Sequence, residues 1–174
     1  GIARALATGP DFVVADEPTS ALDVSTQAQI LNLMVKLQRE LRISYLFISH
    51  NLGVIRHVSD RVAVLYLGRV VEIAENDKLF ATPKHPYTAA LLRSLPLPDP
   101  TMRSGLDAAP GEVGSPMSPP PGCAFHPRCV YATKECTQIV PELEDYGGGH
   151  LAACLNAGRI RLEGIIPVAA GGGV

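Results

Sequence analysis

The sequence predicts an α/β fold with parallel strands and flanking helices, followed by an irregular extension that holds every cysteine of the chain. Three observations predict it. Phe12–Ala15 and Ser44–Ser49 are short apolar runs of the kind that form strands buried on both faces of a parallel sheet. Between them, Val24–Leu41 places Ile30, Met34, Leu37 and Leu41, with Leu33 alongside, on one helical stripe. Beyond about Leu95 the texture changes: eight of the 15 prolines fall between Pro96 and Pro121, too many for a helix or an interior strand.

Taken in order, Gly1–Thr8 reads as a helical segment stopped by Gly9-Pro10, because Gly accepts a left-handed cap and Pro cannot continue the helix. The opening Gly1-Ile2-Ala3-Arg4 has neither an initiator Met nor a signal-peptide layout, so the chain is expected to be a fragment entered partway along a helix. Leu52–Val58 is a short helix, and Arg61–Tyr66 and Val70–Ala74 are two more strands joined around Leu67-Gly68. Alternating strands and helices argue for an α/β layer with parallel strands. The proline-rich stretch is expected to run extended as a linker, and Ala169–Val174 to be disordered.

Composition narrows the function. The 174 residues suit a soluble domain with a core, at 47% apolar and 18% charged. A net charge of −2 with dispersed Lys and Arg gives no support for a nucleic-acid binder. No apolar run approaches the roughly 18 residues of a membrane-spanning helix.

Asp16 and Glu17 follow the first strand directly, at the carboxyl edge where open α/β sheets bind ligands. Adjacent carboxylates there can divide phosphoryl-transfer chemistry, one helping to hold Mg²⁺ and the other orienting or deprotonating the attacking water. The plain alternative is a solvated acidic turn ahead of a helix. The neighbours weigh against that alternative. Asp16-Glu17-Pro18-Thr19-Ser20-Ala21-Leu22-Asp23 resembles the Walker B end and D-loop of ABC ATPases, and Ser49-His50 closes the second strand where that family has its switch histidine. Ile2-Ala3-Arg4-Ala5-Leu6 is similar to the helix after the family's signature sequence.

The resemblance implies the C-terminal part of a P-loop ATPase domain. In it Asp16 would hold Mg²⁺, Glu17 would be the general base, and His50 would contact the γ-phosphate of ATP. Ser20 and Asp23 would lie at the interface with a second ATPase subunit. No G-x-x-x-x-G-K-[ST] loop occurs in the sequence, so this chain alone is expected not to hydrolyse ATP.

Cys123, Cys129, Cys136 and Cys154 are separated by 5, 6 and 17 residues. The spacing leaves a metal site and unligated thiols both open. Structural zinc usually shows a C-x₂₋₄-C knuckle, absent here. Four thiolates in a loop-rich setting suit an iron–sulfur cluster at least as well. Pro121-Gly122-Cys123-Ala124-Phe125-His126-Pro127-Arg128-Cys129, with Cys136 and His150-Leu151-Ala152-Ala153-Cys154, resembles the C-terminal extension of oligopeptide/dipeptide importer ATPases; His85-Pro86-Tyr87-Thr88 is also similar to that group. In the cytosolic setting this implies, thiols stay reduced, which favours metal over disulfides. The resemblance implies a [4Fe-4S] cluster on the four cysteines, with Zn²⁺ as the alternative and His126 and His150 in structural roles.

The expected organisation is an ATPase part over 1–82, a helix and proline-rich linker over 83–122, a four-cysteine module over 123–160 and a disordered tail over 161–174. The implied function is powering oligopeptide or dipeptide import from the cytoplasmic face of the plasma membrane. Its partners would be permease subunits, a second ATPase subunit and, indirectly, an external peptide-binding protein. Two rivals are an ABC ATPase of DNA repair or translation and a non-catalytic metal-binding module.

Overall fold

The computed structural model describes residues 1–95, 111 and 114–165. They form two compact units, Gly1–Ser59 and one beginning at Asp60. Most of the proline-rich stretch and residues 166–174 lie outside the described residues.

In the first unit, α1 (Ile2–Leu6) ends where Gly9, at φ +62°, donates its N–H to the Leu6 carbonyl. β1 (Phe12–Asp16) and β2 (Ser44–Ile48) pair in parallel, Phe12 opposite Ser44 and Asp16 opposite Ile48. The crossover between them is α2 (Val24–Leu41), since parallel neighbours need a connection of a dozen or more residues. α3 (Leu52–Val58) starts at Asn51, whose side-chain oxygen accepts from the N–H groups of Gly53 and Val54. The His57 ring and the Asn32 side chain, 2.9 Å apart, join α3 to α2.

Two expectations need correction here. β1 and β2 are not buried on both faces: the register puts Phe12, Val14, Leu46 and Ile48 together on one face, each 45–57% exposed. The opposite face carries buried Ala15 and half-buried Val13, Tyr45 and Phe47. Side chains alternate along a strand, so an unbroken apolar run covers both faces whether or not both are packed. In α2 the buried pair is Leu31 and Met34, while Leu33 and Leu41 are exposed, so the stripe lies rotated from the one read in the sequence.

The second unit is built on a four-stranded antiparallel sheet in the order β3-β4-β6-β5. β3 (Arg61–Tyr66) and β4 (Arg69–Glu75) form a hairpin, β6 is Leu151–Ala152 and β5 is Glu144–Asp145. The parallel pairing expected of the α/β layer therefore does not extend to these strands, which are antiparallel. The reason is the turn. Leu67 and Gly68, at φ +46° and +77°, are its two central residues, and a loop that short can join only antiparallel neighbours.

α4 (Asn76–Ala81) and α5 (Pro86–Arg93) supply Leu79, Phe80 and Leu92, each 0% exposed. Burial of such side chains stabilises a fold by about 1.5–3 kcal/mol apiece. Residues 161–165, expected to be disordered, are packed: Leu162 is buried, and Gly164 and Ile165 donate to the carbonyls of Ala81 and Phe80 at the end of α4. Among the described residues no helix is long and apolar enough to cross a membrane.

Candidate functional site

β1 ends at Asp16, an exposed residue, and the ladder runs one residue further, where the Glu17 N–H donates to the Ile48 carbonyl at 3.0 Å. Glu17 then takes φ +47°, an uncommon conformation for a residue with a Cβ and one that clusters at functional sites. β2 delivers His50 beside it. The His50 backbone N–H donates to Glu17 Oε1 at 3.2 Å, and His50 Nδ1 lies 2.7 Å from the same oxygen. The hydrogen bond from the His50 ring holds the Glu17 carboxyl below the usual carboxylate range, so it is ionised at neutral pH and the ring nitrogen is the donor. The His50 side chain is 82% exposed.

The loop after Glu17 is closed by its own side chains. The Ser20 N–H and hydroxyl both donate to the Glu17 carbonyl, at 3.2 and 3.0 Å. Thr19 is buried and accepts from Gln27 Nε2 at 3.0 Å. Asp23 is the N-cap of α2 and accepts from Ser25 Oγ, the Thr26 N–H and Thr26 Oγ1 at 2.6, 2.9 and 2.8 Å. The Ser25 hydroxyl, followed by the two Thr26 donors, pushes the Asp23 carboxyl far down. The signal for this cap was present in Asp23-Val24-Ser25-Thr26, an N-cap residue ahead of the apolar stripe.

In the second unit all four cysteines line one cavity, together with His85 and Phe125. Backbone turns bring them there. The Cys123 N–H donates to the Cys136 carbonyl at 2.8 Å, and the 3-10 turn His126–Arg128 carries the chain on to Cys129. Gly122 stands at φ +70°, where a Cβ would collide with the Cys136 carbonyl oxygen, so this crossing requires glycine. The Asn156 side-chain amide donates to the Tyr131 carbonyl at 2.9 Å and approaches Cys136 Sγ at 3.8 Å. Burial pushes the Cys123 and Cys129 thiols up, and Cys154 up to about 11, with neighbouring cysteines adding to the effect.

Among the described residues no three His, Cys, Asp or Glu side chains converge closely enough for one ion. A tetrahedral zinc with Zn–S of about 2.3 Å draws its four sulfurs to within roughly 4 Å of one another. The shared cavity brings the four cysteines together without a metal-binding arrangement among the described residues.

His126 Nδ1 lies 2.9 Å from the Cys123 carbonyl, and His150 is tied to Glu72. Glu72, in β4, is fully buried and is the residue the sequence reading missed. Its Oε1 meets His150 Nε2 at 2.6 Å and accepts from the Lys84 N–H at 2.6 Å; its Oε2 accepts from the His85 N–H at 3.0 Å. One carboxylate thus joins β4, the approach to β6 and the start of α5. His85 is buried and N-caps α5 through Nδ1, which accepts from the Tyr87 N–H at 3.1 Å. Burial lowers the His85 pKa to about 4 against a smaller opposing pull from Glu72.

The second unit also contains the family signal. Residues 71–136 match the family described as "Oligopeptide/dipeptide transporter, C-terminal region". Over most of its length the chain is similar to ATP-binding proteins of peptide importers, the group its motifs resemble. It is 54% identical over 153 residues to the dipeptide transport ATP-binding protein DppF of Escherichia coli (strain K12), covering 88% of this chain and 46% of that protein. A putative peptide import ATP-binding protein of Brucella ovis is 52% identical over 155 residues, 89% of this chain and 49% of the relative. A probable peptide ABC transporter ATP-binding protein of Sinorhizobium fredii is 55% identical over 155 residues, 88% and 44%. The chain spans about half the length of the relatives it matches.

Proposed function

We propose that this chain supplies the water-activating side of an ATP-hydrolysis site in the ATP-binding subunit of an oligopeptide or dipeptide importer. The Glu17–His50 contact carries the reading. A carboxylate ionised at a strand edge and contacted by one exposed histidine is able to accept a proton from water. Because His50 gives Nδ1 to Glu17, its Nε2 is the ring nitrogen left to face the γ-phosphate, to which it would donate with both ring nitrogens protonated. Asp16 is assigned to Mg²⁺, which would neutralise charge developing on the transferred phosphoryl group. Ser20 and Asp23 are assigned to fixing the loop that a second ATPase subunit meets, since both spend their side chains on the loop's own shape.

The sequence has no phosphate-cradling G-x-x-x-x-G-K-[ST], and we assign the gripping of ATP to a P-loop that this chain does not contain. The remaining partners are the permease subunits, which would hold the protein peripherally at the cytoplasmic face of the membrane. We also assign one metal centre, [4Fe-4S] in preference to Zn²⁺, to Cys123, Cys129, Cys136 and Cys154.

The decisive comparison is ATP turnover by the 174-residue chain alone and by a protein joining it to a P-loop-bearing half. The joined protein is expected to hydrolyse ATP and the chain alone to show none. Turnover by the chain alone, or no turnover in a joined protein that binds ATP, contradicts the proposal.

A further inference from the structure

We propose that Gln27 is a positioning residue for ATP hydrolysis, holding Glu17 against His50 through the buried side chain of Thr19. The inference rests on the reading of Glu17 as the base and adds a residue of α2 that acts through its neighbour. Its basis is the way the loop from Glu17 to Asp23 is pinned. Every position of that loop is exposed or half-buried except Thr19, which is 4% exposed. The Thr19 hydroxyl accepts from Gln27 Nε2 at 3.0 Å, which fastens the middle of the loop to α2. Gln27 is itself held in place, since its backbone N–H donates to the Asp23 carbonyl at 2.8 Å as α2 begins.

Between Thr19 and Glu17 stands only Pro18, whose ring fixes its φ, so an anchored Thr19 constrains the Glu17 backbone closely. The constraint matters because Glu17 stands at φ +47°, a conformation that a residue with a Cβ keeps only when its surroundings impose it. Ser20 donates twice to the Glu17 carbonyl, and the Leu22 N–H donates to the Thr19 carbonyl at 3.2 Å. Those bonds lie within the loop and move with it, whereas the Gln27 bond ties it to a helix of 18 residues. So held, Glu17 Oε1 lies 2.7 Å from His50 Nδ1. Release of Thr19 lets the Glu17 backbone relax and carries the carboxylate away from its aligned position. A misplacement of about 1 Å can cost about 10²-fold in rate, so hydrolysis suffers where ATP binding does not.

The test uses a protein that joins this chain to a P-loop-bearing half, and measures single-turnover hydrolysis and, by calorimetry, ATP binding. The variants are Gln27→Met, Thr19→Val, their combination, Thr19→Ser and Glu17→Gln. Met keeps the length of Gln without the donor, Val keeps the shape of Thr without the hydroxyl, and Ser keeps the hydroxyl. Gln27→Met and Thr19→Val are each expected to slow hydrolysis at least about fivefold, with ATP binding within about threefold of wild type. The double variant should be no slower than the slower single one, because both remove the same bond, and Thr19→Ser should recover most of the loss. A smaller loss in Gln27→Met, a multiplied loss in the double variant, or ATP binding lost in step with hydrolysis overturns the inference. Should Gln27→Met fail to fold, faster hydrolysis by Thr19→Ser than by Thr19→Val supports it and equal rates refute it. In each of these refutations a slow Glu17→Gln leaves the base standing. Near-wild-type hydrolysis by Glu17→Gln removes the reading of Glu17 and this inference with it.

Discussion

Glu72 offers the sharpest test of how the second unit is held together. Its carboxylate is 0% exposed and meets three donors: the His150 ring, the Lys84 N–H and the His85 N–H. Glu72→Ala would leave all three buried without an acceptor. Hydrogen bonds to a charged group contribute about 1.5–3 kcal/mol each, and loss of one partner from a buried pair costs about 3–5 kcal/mol. The three bonds share one carboxylate and do not add, so about 4 kcal/mol is the working figure for Ala. Domains of this size hold only about 5–15 kcal/mol in total, so Glu72→Ala is expected to remove from about a quarter to most of the second unit's stability. Glu72→Gln keeps the shape and one acceptor oxygen, and about 2 kcal/mol is expected. Urea unfolding of wild type and Glu72→Gln, followed by tyrosine fluorescence, measures this directly. A Gln variant within about 0.5 kcal/mol of wild type would refute the reasoning.

Three further outcomes follow from other residues. Gly122→Ala places a Cβ against the Cys136 carbonyl at positive φ, so it should cost about 2 kcal/mol or more and disturb the Cys123–Cys136 crossing, read by thiol reactivity. Asp23→Ala removes the α2 cap and should cost about 1 kcal/mol by the same urea measurement, whereas Asp23→Asn should cost less. His85 is held neutral, with a folded pKa of about 4 against an ordinary value near 6.5. Between those values the unfolded chain binds more protons than the folded one. Stability of the metal-free chain should therefore fall as pH drops from about 6.5 towards 4, by roughly 2–3 kcal/mol, with a flatter slope in His85→Asn.

What could be read in the sequence was local. Asp16, Glu17 and His50 sit directly after apolar strands, and in a parallel pair strand ends lie side by side; the observed register brings Glu17 and His50 into contact. Cys123, Cys129 and Cys136 were legible as a cluster because they are close in sequence and backbone turns bring them to one cavity, which Cys154 joins after β6. Sheet assignment failed where only pairing partners decide it. β5 and β6 are two residues each and carry no periodic pattern, so nothing local marks them as strands. Without β6 there is no reason to bury Glu72, which in Val70–Ala74 reads as an ordinary charged strand residue; its burial depends on His150, far away in sequence. The apolar runs in β1 and β2 reported strand character correctly, but could not say that Phe12, Val14, Leu46 and Ile48 would be exposed.

The central claim is that Glu17 activates water for ATP hydrolysis, and one substitution addresses it most directly. Glu17→Gln, placed in a protein that joins this chain to a P-loop-bearing half, keeps the side chain's size and an oxygen able to accept from His50 while removing the base. ATP binding by calorimetry should stay within about threefold of wild type, while single-turnover hydrolysis should fall by about 10²-fold or more, the scale of general-base catalysis. Hydrolysis within a few-fold of wild type, with ATP bound normally, would contradict the account.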